Sequence, residues 1–135
     1  MPVLSLQAIE TLCQESLLAV GASEEQAAIV AAEIAEAEAE GIRNVGLGYI
    51  HLYLKHLKVG KVKPNAQPSV VKTSAASTVV NADFGFCHHA YMVAEQRLIE
   101  TAREQGVAMM AIHQSSSAGV LGWFVRRLAQ QGLVS

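Results

Sequence analysis

At 135 residues the chain is one domain's worth of polypeptide, able to bury roughly two-thirds of the surface its unfolded form exposes. It is 51% hydrophobic and 16% charged with a net charge of −2, which argues against nucleic acid as the main partner. No apolar run reaches transmembrane length, and MPVLSLQAIE has neither the basic region nor the continuous apolar region of a secretory signal. Cys13 and Cys87 lie far apart with no CxxC spacing, so a cytoplasmic protein with reduced thiols is expected.

Ser5 is placed to cap a first helix in which Leu6, Ile9, Cys13 and Leu17 form one apolar stripe, ended by Gly21. Ser23-Glu24-Glu25-Gln26 is a capping-box pattern opening a second helix. Ala27, Val30, Ile34 and Ala37 share one of its faces, and its alanines permit close helix packing. Glu33, Glu36 and Glu40 are assigned to a solvated face, since paired catalytic carboxylates would need a pocket around them.

Gly41 closes that helix, and GIRNVGLG follows as a turn without the GxGxxG fingerprint of a phosphate loop. A third helix is expected from Leu47, with Ile50, Leu54 and Leu57 inward and Tyr49 and Tyr53 on a neighbouring face. His51 and His56 are five apart, wrong for two ligands on one helical face. From Arg43 to Lys72 the chain is basic with no acidic residue, so attraction to the acidic helix, or plain solvation, is expected. Lys63 to Pro68 is a proline-bounded loop.

Ser69-Val70-Val71-Lys72 and Thr78-Val79-Val80-Asn81 predict a hairpin. A long helix then runs from near His88 to Gln105, with Ala90, Val93, Ala94, Leu98, Ile99 and Ala102 as its apolar side. Cys87, His88 and His89 are neighbours that do not face one direction on a helix, so no metal site is assigned. Val107 to Ile112 is a continuous apolar run that predicts a strand covered on both faces. The small-residue loop Ser115 to Gly119 leads into a helix with Leu121, Phe124, Val125 and Leu128 at helical spacing, stopped by Gly132. A strand feeding a helix through a tight loop is where α/β proteins commonly hold an anion or cofactor phosphates; a connecting loop with no ligand fits the local pattern equally well. Leu133-Val134 looks like entry into another strand, so the chain reads as the first part of a larger α/β architecture. Residues 1–62 form a helical segment and 63–135 an incomplete α/β segment of hairpin, helix, strand and helix, together one expected structural unit.

The two N-terminal helices, AEGIRNVGLGYIHLYLKHLKVGKVKP, the TVVNADFGF turn, the AREQGVAMMAI strand and SSSAGVLGWFVRRLAQQGLV resemble the N-terminal part of the malate/L-lactate dehydrogenase-like family. These NAD(P)-dependent oxidoreductases differ in fold from the Rossmann dehydrogenases and include ureidoglycolate dehydrogenase and diketogulonate reductase. The resemblance implies a truncated α/β fold of that type, NAD or NADP as cofactor, hydride transfer to a small 2-oxo or imino acid, and homodimers. It places Asn44-Val45-Gly46 at a family Ser-His-Gly, with Val45 where the catalytic histidine stands, and Tyr49 where an arginine binds the substrate carboxylate. Ser117-Ala118-Gly119 falls at a family histidine-x-glycine, which makes Ser117 and Gly119 the candidate cofactor contacts, and Cys87 replaces a glycine. Valine has no proton to give a carbonyl oxygen, and a tyrosine hydroxyl does not replace a bidentate cation. The expectation is therefore a catalytically silent chain that assembles with a copy of itself or with a second chain. The alternative is a non-catalytic interaction module. His51 and His113 are near enough in sequence to be considered as replacements but are assigned structural roles.

Overall fold

Ser5 opens α1 (Leu6–Ala19) by accepting the Ala8 N–H at 3.1 Å, and Ile9, Cys13 and Leu17 are its buried stripe. The computed structural model describes residues 3–135. Ser23 likewise accepts the Gln26 N–H at the start of α2 (Glu24–Ala39), but only half of the expected capping box forms. The Gln26 side chain does not turn back to Ser23. It is buried, donates to the carbonyls of Lys63 (3.1 Å) and Pro64 (2.7 Å) and accepts the Phe86 N–H (3.1 Å). One amide thus ties the second helix to two later loops.

The alanines let other elements close around α2, which buries Ala27, Val30, Ala31, Ile34, Ala35 and Ala37. Glu33 is buried with them, against the expectation of a solvated face. Glu36 and Glu40 do not pair with the basic 43–72 segment. Both pair with Arg126 near the chain's end, Glu36 at 2.9 Å. A single turn of 3-10 helix, Leu47–Tyr49, leads into α3 (Ile50–Lys58), which buries Tyr53 and Leu57.

β1 (Ser69–Thr73) and β2 (Ser77–Asn81) form the predicted hairpin, with a bulge at Val71. α4 (Cys87–Gln105) crosses from β2 to β3 (Met109–His113), which pairs parallel to β2 from Ser77↔Met109 to Asn81↔His113. The three strands lie in the order β1-β2-β3, so β3 is an edge. α4 lays Ala90 and Ala94 on Val80 and Ala82. Val93, expected on the apolar side, points away and is 46% exposed.

The expectation that β3 is covered on both faces fails within these residues. Met110 and Ile112 are half-buried, whereas Met109, Ala111 and His113 are exposed. α5 (Leu121–Ala129) buries Trp123 and Leu128, while Leu121 and Val125 are 70% and 45% exposed. The reason is geometric: a helical stripe needs a neighbour, and β3 has no fourth strand beside it among the described residues. Leu121, Val125, Met109 and Tyr91 instead line an open apolar cleft. Leu133 donates its N–H to the Leu128 carbonyl. No helix among the described residues is long and apolar enough to cross a membrane.

Candidate functional site

Because β2 and β3 are parallel, the loops leaving them emerge side by side. Ala82 N–H donates to His113 O (2.9 Å), Phe84 N–H to Gln114 O (2.7 Å), Ser116 N–H to Gly85 O (2.9 Å) and Cys87 N–H to Ser116 O (3.1 Å). Four non-glycine residues here, Asp83, Phe84, Gln114 and Ser117, have φ between 49° and 59°, a left-handed conformation that persists only where surroundings hold it. Asp83 is held by Lys63 Nζ at 2.6 Å and the Gln67 N–H at 2.9 Å, and these contacts keep its carboxyl below the usual range.

Ser117 is tied to α3, its hydroxyl donating to the Tyr53 hydroxyl at 3.4 Å. Tyr53 stands edge-on between Tyr49 and Phe86, with ring centroids 5.0 and 5.2 Å away. Burial pushes its phenol up. The structure therefore links two predicted site residues, Ser117 and Tyr49, through the Tyr53 side chain. Asn44 is exposed, while Val45 donates its N–H to the Ile42 carbonyl at 3.3 Å and packs against the cluster that includes Ala37, Tyr91 and Trp123. Gly46 is buried against Glu38, whose Oε1 accepts the Leu47 N–H at 2.7 Å. The side chains of His51 and His113 are exposed.

Beneath the loop lies a pair that sequence reasoning missed. Glu33 Oε1 accepts the Val120 N–H at 2.8 Å, and Oε2 stands 3.8 Å from His88 Nε2, both side chains shut off from solvent. The His88 ring stacks on Phe124 (5.6 Å, 17° between planes) and meets Trp123 edge-on. Burial pushes the Glu33 carboxyl up to about 7, with the Val120 N–H working against it and Glu36 adding to it. Burial pushes His88 down to about 4, opposed by the Ala118 backbone. Each group is driven toward its neutral form. The available signal was that Gln26, Val30, Glu33 and Ala37 recur at helical spacing on one face. Glutamate's usual preference for water concealed it.

The predicted cofactor contacts serve internal needs in this arrangement. Gly119 has φ +56°, and a Cβ there would lie 2.5 Å from Glu33 Oε1. With a carboxyl group already bonded to the Val120 N–H, the start of α5 does not fit a cofactor phosphate as it stands. No group of three or more His, Cys, Asp or Glu is placed to hold a metal among the described residues.

Comparison with known proteins agrees with this architecture. Residues 4–135 match the family model of malate/L-lactate dehydrogenase, and the chain belongs to that family. It is 35% identical to the (2R)-3-sulfolactate dehydrogenase (NADP+) of Chromohalobacter salexigens, over 98% of this chain and 40% of that one. It is 31% identical to the Delta(1)-pyrroline-2-carboxylate reductase of Ancylobacter novellus, over 98% and 39%. Among solved structures, malate dehydrogenase from Entamoeba histolytica superposes with a TM-score of 0.89 at 26% identity, covering 97% of this chain and 37% of that one. The sulfolactate dehydrogenase of Methanocaldococcus jannaschii gives the same TM-score and identity, with 96% and 38% coverage. The chain thus spans about two-fifths of the length of the curated relatives it matches.

Proposed function

We propose that this chain is the front part of a cytoplasmic, nicotinamide-dependent oxidoreductase scaffold whose full-length relatives move hydride between NAD or NADP and a small 2-oxo, 2-hydroxy or cyclic imino acid. On this reading residues 1–135 are silent by themselves and act in a homodimer or with a second chain. What supports it is the resemblance, which aligns Val45 with the family's proton donor and Tyr49 with its carboxylate clamp. A missing general acid alone costs roughly 10²–10⁴-fold in rate. The test is to mix the purified chain with NADH or NADPH and pyruvate, oxaloacetate or pyrroline-2-carboxylate. Reduced nicotinamide should persist, and a steady enzyme-dependent fall in its near-ultraviolet absorbance would overturn the proposal.

A second reading, a non-catalytic interaction module on the same scaffold, is favoured by Glu33, which fills the loop expected to meet the cofactor. Equilibrium dialysis with NAD+ and NADP+ separates the two, since a module that has abandoned the cofactor retains neither.

A further inference from the structure

The charges of this chain are sorted by position. Every acidic residue ahead of Asp83 lies at or before Glu40, no lysine or arginine precedes Arg43, and Arg43 to Lys72 contains no acid. The fold leaves much of this sorting unneutralised. Glu36 and Glu40 turn to Arg126, and Lys63 to Asp83, but among the described residues Lys55, Lys58 and Lys61 form no ion pair. Helix dipoles account for part of this, since Glu24 and Glu25 stand in the first turn of α2 and Lys55 and Lys58 in the last turn of α3. They do not account for Lys61, which lies beyond α3 yet brings Nζ to 3.5 Å from His56 Nε2, a base beside a base. Burial, then Lys61 and Lys55, hold that imidazole below its usual range.

The two sets of charge meet at one end of the molecule. Ser23 donates its N–H to the Pro64 carbonyl at 3.0 Å, and Gln26 binds Lys63 and Pro64, so the first turn of α2 abuts the segment that follows α3. Lys61 and Val62 donate their N–H groups back to the His56 carbonyl, at 2.9 and 3.1 Å, which folds that segment against the end of α3. Glu24, Glu25, Lys58 and Lys61 are all exposed there, and Val59, between the lysines in sequence, is 65% exposed.

We propose that this end of the molecule is a contact surface for a second copy of the chain, with Glu24 and Glu25 of each copy set against Lys58 and Lys61 of the other. A patch that carries acids beside bases is its own complement. A half-turn about an axis through it brings each sign over its opposite, and both copies gain the same pairs. A molecule of one sign would satisfy half of the patch and be repelled by the other half, so a second copy fits it better. Val59 gives the contact an apolar group to cover. The contact uses none of the residues at the free edge of β3 and does not rest on the hydride-transfer reading.

Charge exchange tests it. Lys58→Glu/Lys61→Glu makes the patch wholly acidic, and Glu24→Lys/Glu25→Lys makes it wholly basic. By sedimentation velocity with one partner fluorescently labelled, each variant should associate with itself at least about tenfold more weakly than the parent chain does in about 0.02 M salt. An equimolar mixture of the two should regain the association, and about 1 M salt should abolish it, because the screening length is then about 3 Å. Glu100→Lys/Glu104→Lys carries the same net charge as the basic variant but changes exposed positions on α4, and it should not pair with the acidic variant. Association through the edge of β3 is common to every mixture and cancels in the comparison. Should the basic variant fail to fold, Glu24→Gln/Glu25→Gln takes its place and is read in the same way. Self-association that neither variant weakens, a mixture no stronger than its components, or equal pairing by the α4 control would each overturn the proposal.

Discussion

His88 Nε2 lies 3.8 Å from Glu33 Oε2, and the two groups are displaced from their ordinary acidities in opposite directions. Glu33, raised from 4.5 to about 7, contributes stability that is complete at low pH and is lost as pH rises toward 7. His88, lowered from 6.5 to about 4, contributes stability that is complete above pH 6.5 and is lost as pH falls toward 4. Between those limits, unfolding releases a proton from one group and takes one up at the other, so the two slopes cancel. Single substitutions should unmask them. Glu33→Gln should become more stable as pH rises from 4.5 to 6.5, and His88→Gln less stable as pH rises from 4.5 to 7. Each slope should be at most about 1.4 kcal/mol per pH unit. Urea titrations across that range check this, and parallel flat profiles in both variants would contradict it.

Gly85 is fixed by close approach. A Cβ there would lie 2.5 Å from the Ala66 Cβ and 2.9 Å from Gln26 Oε1, within the network that joins α2 to the loops. Gly85→Ala should cost about 1–3 kcal/mol, the usual range for overpacking. Gly122→Ala, whose Cβ would meet only Val120 Cγ1 at 3.6 Å, should be nearly neutral or slightly stabilising by helix propensity. The difference in denaturation midpoint measures it.

These two outcomes separate what the sequence discloses from what it hides. Caps at Ser5 and Ser23, the hairpin and the long helix ending at Gly106 were readable because each is dictated by neighbours a few residues away. Burial of Glu33 was not, because its partner Val120 lies 87 positions further on. Periodicity also marked Val93, Leu121 and Val125 as apolar-face residues without saying which faces have something to lie against. The inferred catalytic positions came from resemblance, while the link from Ser117 through Tyr53 to Tyr49 required coordinates.

Restoring family residues should not by itself restore chemistry. Val45→His, Tyr49→Arg and Ser117→His together should leave turnover at background, because orientation and water exclusion need more surface than these loops provide. Steady-state assay of the triple variant with the substrates above checks this. Turnover well above the uncatalysed rate would show that substituted side chains were the only deficiency.

The chain should associate in solution. Met109, Leu121 and Val125 are 63%, 70% and 45% exposed beside the free edge of β3, and apolar surface next to unpaired strand groups recruits further chain. Light scattering at micromolar concentration should give a dimer or larger species that binds ANS. A monodisperse mass of 14.4 kDa without dye binding would contradict it.

The amide of Gln26 has a consequence for how the protein ages. Two backbone carbonyls, of Lys63 and Pro64, look directly at its NH2 group, so they accept from a donor that slow hydrolysis converts into a carboxylate. That one change would delete both donated bonds and set a buried negative charge against two oxygen atoms, while leaving the Phe86 bond intact. Conversion of this one side chain would therefore loosen the protein where the second helix holds the loops rather than at the surface.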